Sequence, residues 1–398
     1  MTTLLVFALL SQADAGAWPL PVPQPAPVLM GAPSNETIAW QVVTRAADVR
    51  PGELVLITGG HQDRALLEQL SVYVQKAGAY PVLEIDSESL ERMSLTEVPA
   101  SADATIATGA RKLWSALDTI ITIPHALRSD YLKDVTAERR ASHATVLLKT
   151  EELANHRGIK RVELGNGMYP TDDNARRFGM DRAQLSSVFF TALAVDPAEL
   201  LKTGTRIATP LQTGKQVRLT HKNGTDLRFV LAGKQPTVSD GALSADDVKA
   251  GGARTLSWLP AGEVYVTPAP GSAEGNVFID RAFYAGSEIT GLRLAFKQGR
   301  LLAMSASKGL EVLEAAYAAE GDPRKGDFAF VDIGLNAKLD AQKVLTFTSG
   351  GMVTVGFGNN LWAGGDNNVP FDVGGCYLPG ATLTIDGKAV VKDGRLVP

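Results

Sequence analysis

The spacing of apolar and polar positions changes character near residue 202. Before that point, residues 37–47 carry helical spacing. Gly52 then introduces the apolar run Leu54, Val55, Leu56 and Ile57, which Gly59-Gly60 closes. Residues 64–77 read as an amphipathic helix, and after Gly78 a second strand follows over 81–85. Strand, glycine, helix, glycine and strand within about 35 residues form a βαβ unit, which implies a parallel sheet. An apolar strand over 117–123 ends at Pro124, and a helix is predicted over 139–155. A strand over 159–164 is closed by Gly165-Asn166-Gly167, and a further helix spans 180–194. The predicted first domain is a doubly wound α/β domain over 35–201.

From Lys202 onward short alternating strands are separated by glycine turns: 217–220, 226–230, 263–267, 291–296, 301–305, 352–357 and 381–385. One helix, over 308–319, interrupts them. This predicts a second, mainly antiparallel α+β domain over 202–398. Asp386-Gly387 and Asp393-Gly394 are hairpin turns by composition.

Composition narrows the reading. A chain of 398 residues exceeds one ordinary core, and 45% hydrophobic with 21% charged residues describes a globular protein. A net charge of -4, without a Lys/Arg cluster interleaved with aromatics, excludes a nucleic-acid partner. No segment is long and apolar enough for a membrane span. Residues 1–34 read as a signal peptide and proline-rich leader: an apolar run over 3–10, then Ala13-Asp14-Ala15, then Pro19 through Pro27 at alternate positions. Export to the periplasm or medium is the expectation. The absence of Lys and Arg ahead of the apolar run keeps a cytoplasmic location as the alternative. The single cysteine, Cys376, reads as a small buried residue.

The candidate chemistry lies in the second half. Pro260-Ala261-Gly262 delivers Glu263 at the start of a strand, and a loop from Gly356 to Asp372 is rich in glycine and side-chain oxygens. Such a loop suits close backbone approach and hard-oxygen donation, or simply a set of turns. All five histidines, His61, His125, His143, His156 and His221, precede residue 222.

The order of Gly224-Thr225-Asp226-Leu227, of Leu259-Pro260 to Thr267-Pro268, of Gly326-Asp327, of Val355 to Gly358, of Gly364-Gly365 and of Asp386-Gly387 resembles the thermophilic aminopeptidase (aminopeptidase T) family of metallopeptidases. The related dihydroxypyridine ring-cleaving dioxygenases are similar. The likeness runs from about Ala39 to Leu396. It implies a homodimer and two divalent metals (Zn, Co or Mn) held between glutamates, histidines and an aspartate. By the resemblance Glu263 stands at the first metal-binding glutamate, and Asp327 at the second, one methylene shorter. The histidine before Val355 is replaced by Thr354, and the expected tyrosine falls near Leu361. Pro370 replaces the histidine of a His-x-Asp pair, whose aspartate remains as Asp372.

The implied metal set is therefore Glu263, Asp327 and Asp372 in one cavity, helped by Asp366 or Asp332, with Thr354, Asp366 and Pro370 lining the cleft. Carboxylates without imidazole suit Mg or Ca, or no metal at all, better than Zn. Three functions follow as expectations. The first is an aminopeptidase-like hydrolase with a degenerate metal site. The others are a non-catalytic relative binding a peptide or small molecule, and an enzyme of another class in the same cleft.

Overall fold

Two sheets position the site, and each follows from its strand chemistry. In the computed structural model, which describes residues 33–398, five parallel strands form the first sheet. Their order is Tyr80–Asp86, Leu54–Gly60, Thr119–Thr122, Lys160–Leu164 and Leu256–Leu259. Helix Arg64–Lys76 covers it with Leu66, Leu67, Leu70 and Val74, the spacing of one helical face. Helix Ala137–Arg157 starts at a Thr136 cap and stops at left-handed Gly158 (φ 67°). The expected helix over 37–47 is in fact an α-helix, Asn35–Trp40, continued as a π-helical stretch, Gln41–Ala46. Residues 1–32 of the expected leader lie outside the described residues, and Ser34 caps the first helix. Among the described residues no helix is long and apolar enough to cross a membrane.

The second half forms two antiparallel sheets. An eight-stranded sheet runs from Arg300–Ser305 at one edge to Arg395–Leu396 at the other. Asp386-Gly387 joins Ile385 to Lys388 with positive φ at both turn residues, as a two-residue hairpin requires. A five-stranded sheet has the order Asp372–Leu378, Val353–Gly358, Phe328–Gly334, Glu263–Val266, Thr237–Ser239. One face of this sheet, with Val264, Val266, Val331, Ile333, Val353, Val355 and Phe357, joins Leu219, Phe229, Leu292 and Phe296 of the larger sheet in a common core. Phe328 meets Phe229 and Phe296 there at ring separations of 5.1 and 5.4 Å. Cys376 lies opposite Val355 in that core, and burial pushes its thiol up to about 12, so it is no nucleophile at neutral pH.

The mixed architecture is the one expected, but the chain passes back over residue 202. Strand Leu256–Leu259 returns to complete the parallel sheet, and a helix, Pro197–Thr213, bridges the position. That helix buries Leu200, Gly204, Ile207 and Leu211. A Cβ on Gly204 would fall 2.3 Å from Val238 Cγ1 and 3.2 Å from Leu335 Cδ1, so glycine lets the helix lie close to the sheet. Gly204→Ala gains about 1 kcal/mol of helix propensity, against roughly 1–3 kcal/mol of overpacking. Net destabilisation is expected, read as a lower urea midpoint. A raised midpoint would show that the sheet yields.

Candidate functional site

The other face of the five-stranded sheet is polar, yet it is buried. Register places Thr237, Tyr265, Asp332, Thr354 and Tyr377 in one row across the five strands, with side chains on the same side. Glu263 projects from that face two residues before Tyr265. Relative exposure is 2% for Glu263 and 0% for Tyr265, Asp332 and Thr354. Neither Asp332 carboxylate oxygen has a hydrogen-bond partner, and neither does Thr354 Oγ1. A buried polar group without a partner costs about 1–3 kcal/mol, and a charged one costs more.

Glu263 is delivered by a fastened turn. The Asn336 amide donates to Ala261 O and to Ala192 O, both at 3.0 Å, and Asn166 Nδ2 donates to Pro260 O at 3.1 Å. Gly262 N donates to Ser239 O at 3.0 Å, and Leu335 N to Gly262 O at 2.7 Å. The turn follows strand Leu256–Leu259, so Glu263 stands outside the carboxyl ends of the parallel strands, where open α/β sheets bind ligands. Glu163, at the end of a neighbouring strand, faces the same space.

Burial raises the Glu263 carboxyl to about 8; the neighbouring Glu163 adds to the rise and the Asn166 amide opposes it. Asp332 is raised well above the usual range by burial and then by Glu263. Glu163 is raised by burial, with the Trp258 indole opposing. The electrostatic character of the site is therefore an excess of crowded carboxylates.

Aromatic rings wall this space. Trp362 packs edge-on or tilted against Phe330, Tyr265 and Trp258 at 4.8, 5.2 and 5.4 Å, and Phe347 meets Tyr377 at 5.3 Å. Trp362 is aimed by the glycine- and asparagine-rich loop. Asn359 Oδ1, Asn360 Oδ1 and Asn367 Oδ1 accept from Leu361, Asn367 and Val369 backbone N–H groups at 2.9, 2.9 and 3.2 Å. Those oxygens are turn-makers, not donors to a cation. The asparagines shape a loop that carries an indole to the site.

The three carboxylates expected in one cavity do not share it. Gly334 pairs with Glu263, and Asp327 lies seven residues back along the same run, roughly 20 Å away. Asp327 pairs instead with Arg300 at 3.2 Å. Asp372 is opposite Gly358, whose N–H bonds to Asp327 O, so both aspartates occupy the far end of the sheet. The Asp372 side chain is open to solvent while protein surrounds it closely enough to raise its carboxyl to about 6, a concave setting near Tyr284 and Glu151. Asp366 is exposed. Pro370 lines a separate cavity of about 130 Å³ with Arg140, Tyr284 and Phe371. Of the expected cleft residues, Thr354 alone sits beside Glu263 and Asp332. Of the two expected helpers, Asp332 is the one that shares the face with Glu263.

The overall fold is shared with two solved structures. Wild-type AmpT from Thermus thermophilus superposes with a TM-score of 0.69 at 16% identity, covering 92% of this chain and 99% of that one. The 2,5-dihydroxypyridine dioxygenase from Pseudomonas putida KT2440 gives 0.57 at 15% identity, covering 92% and 98%. At such identities the likeness is one of fold. Among curated proteins none matches the chain in sequence. The chain belongs to the thermophilic metalloprotease (M29) family, whose profile matches residues 34–348. The matched span includes Glu263 and Asp332 and stops before Thr354.

The family implies a divalent metal. Among the described residues no group of three or more His, Cys, Asp and Glu side chains is disposed to hold one. Glu263 and Asp332 offer carboxylates and Thr354 a hydroxyl. Imidazoles lie elsewhere: His125 bonds Glu91 at 2.9 Å, and His221 Nδ1 accepts from Asn223 N at 3.3 Å. This donor set does not fit a zinc or cobalt centre, which calls for imidazole or thiolate.

Proposed function

We propose that the protein is an aminopeptidase-like hydrolase with a degenerate metal site, acting weakly on short peptides. One observation carries the reading: Glu263 and Asp332 are neighbours on one buried face, and among the described residues neither pairs with a cation. Two crowded carboxylates destabilise the fold, and such groups persist where a ligand uses them. A peptide's terminal ammonium is the complementary charge. In this reading Glu263 and Asp332 bind and orient it, Asn166 steadies Glu263, and the Trp258, Phe330 and Trp362 rings exclude water. No step is routed through a metal, because the donors present do not suit the family's centre.

The test is release of the N-terminal residue from dipeptides and aminoacyl anilides, with and without added Co, Zn or Mn. Slow release is expected, falling by about 100-fold or more in Glu263→Gln, the scale of a lost preorganised electrostatic group. Turnover that survives both chelation and that substitution would instead favour an enzyme of another class. The absence of a three-ligand group among the described residues favours a second reading, a non-catalytic relative that binds a peptide or small molecule in the same cleft. Peptide binding without release would select it. Homodimerisation and export belong to the same proposal, tested by sedimentation and by sequencing the mature N-terminus.

A further inference from the structure

A cavity of opposite electrostatic character lies past Tyr265 from Glu263. Thr267 comes two residues after Tyr265, and Thr237 pairs with Tyr265 from the neighbouring strand. Both line a cavity of about 240 Å³ together with Lys234, Arg254, Gly251 and Gly252. None of the described residues lining it is acidic, and neither Glu263 nor Asp332 reaches it. Its polar groups are short of partners. Thr267 is 2% exposed, and its Oγ1 has no hydrogen-bond partner. Lys234 is exposed and joins no ion pair among the described residues. Arg254 is steadied by Pro236 O, to which Nη2 donates at 3.3 Å, while the Asp247 carboxylate is 3.8 Å away, too long for a hydrogen bond. Gly251 and Gly252 both take positive φ, 67° and 60°. A Cβ built on either would meet nothing within 4 Å, so bare main chain is open to an approaching ligand.

We propose that this cavity binds a phosphoryl dianion, either the free ion or the end of a small phosphorylated metabolite. Two lining cations and no lining carboxylate favour a doubly charged ligand. A lysine, an arginine and a hydroxyl supply the charge-assisted donors that phosphate oxygens accept. The unpaired Thr267 hydroxyl gains a partner when such an oxygen arrives. A carboxylate, with two oxygens and one charge, would use fewer of these donors. The volume lies below the roughly 300–1,000 Å³ of sites for drug-sized ligands, which suits a small ester. The site shares no residue with the Glu263–Asp332 pair, so it stands whether or not the aminopeptidase-like reading holds.

Calorimetry and thermal melting of the whole chain test this, with inorganic phosphate, glycerol phosphate, acetate, and sodium chloride matched in ionic strength. Saturable phosphate binding and a raised melting temperature are expected. Acetate should bind about tenfold more weakly, and chloride should have no effect. Lys234→Gln and Thr267→Val should each weaken phosphate binding by about tenfold, the loss of one charge-assisted contact. The first changes an exposed side chain and the second removes only a hydroxyl, with circular dichroism confirming that both fold. Tighter binding of the ester than of the free ion supports a phosphorylated metabolite as occupant. Equal binding supports the ion itself. No saturable binding of phosphate or ester, acetate or chloride acting as well as phosphate, or full phosphate binding kept in either variant would overturn the proposal.

Discussion

Replacing Asp332 by asparagine is expected to stabilise the protein at pH 8, by on the order of 1 kcal/mol or more, since each pH unit by which a buried carboxyl is raised above its unfolded value is worth about 1.4 kcal/mol once the pH exceeds it. The carboxyl is fully buried, neither oxygen has a partner, and Glu263 repels it. Asparagine keeps the volume and removes the charge. The pH dependence carries the sign. Glu263 and Asp332 are both raised above their unfolded values, so the folded protein binds more protons than the unfolded chain. Their favourable contribution is complete below about pH 4.5 and is lost as pH rises toward 8. Wild-type stability in chelator should therefore fall over that window, by on the order of 4 kcal/mol from Glu263 alone, and the Asn variant should show a flatter profile. Urea melts at pH 5 and pH 8 decide it. A flat wild-type profile, or an Asn variant weaker than wild type at pH 8, would mean that the acid pair finds partners in solution. In the proposed function the fold tolerates an unstable acid pair because ligand binding uses it.

Much of the scaffold was legible because local chemistry announced it. The Leu54-Val55-Leu56-Ile57 run closed by Gly59-Gly60 could only be a strand entering a βαβ unit, and Asp386-Gly387 and Asp393-Gly394 formed the hairpins their composition requires. Strand Phe328–Gly334 was not legible, because it is buried on both faces and shows no alternation. Its one polar residue, Asp332, entered the reading only as a possible helper of the metal set, whereas it is the centre of the polar row. Helix Pro197–Thr213 was hidden by Pro210, Gly204 and four threonines, residues that lower helix propensity; here Gly204 serves close packing, and the Thr205, Thr209 and Thr213 hydroxyls donate back to carbonyls four residues earlier. The site was half legible. Glu263 was visible through its Pro-Ala-Gly turn, but which aspartate faces it depends on strand register, a long-range property. The family resemblance pointed to Asp327, whereas the pairing of Tyr265 with Asp332 puts Asp332 on the face of Glu263.

Restoring an imidazole should restore a metal. Thr354 pairs directly with Asp332 across neighbouring strands on the buried polar face, and such pairs stand about 5 Å apart at Cβ. Glu263 lies on the diagonal from Asp332. Thr354→His would therefore assemble two carboxylates and one imidazole, a three-ligand set of the kind that holds catalytic zinc with a fourth position open. The larger ring costs packing in a fully buried position, about 1–3 kcal/mol, because Gly356 and Phe330 already make close contact nearby. In chelator the variant should thus melt below wild type. With zinc at about 100 times its dissociation constant it should regain about 2.7 kcal/mol, while wild type, lacking the nitrogen donor, responds little. Thr354→Val supplies the control for packing, and adding Glu263→Gln to Thr354→His should abolish the zinc response. Cobalt absorption in the visible range reads the geometry directly. Identical melting of Thr354→His in chelator and in zinc would show that Glu263 and Asp332 cannot converge on one ion, and that position 354 alone does not separate this cleft from a metal centre.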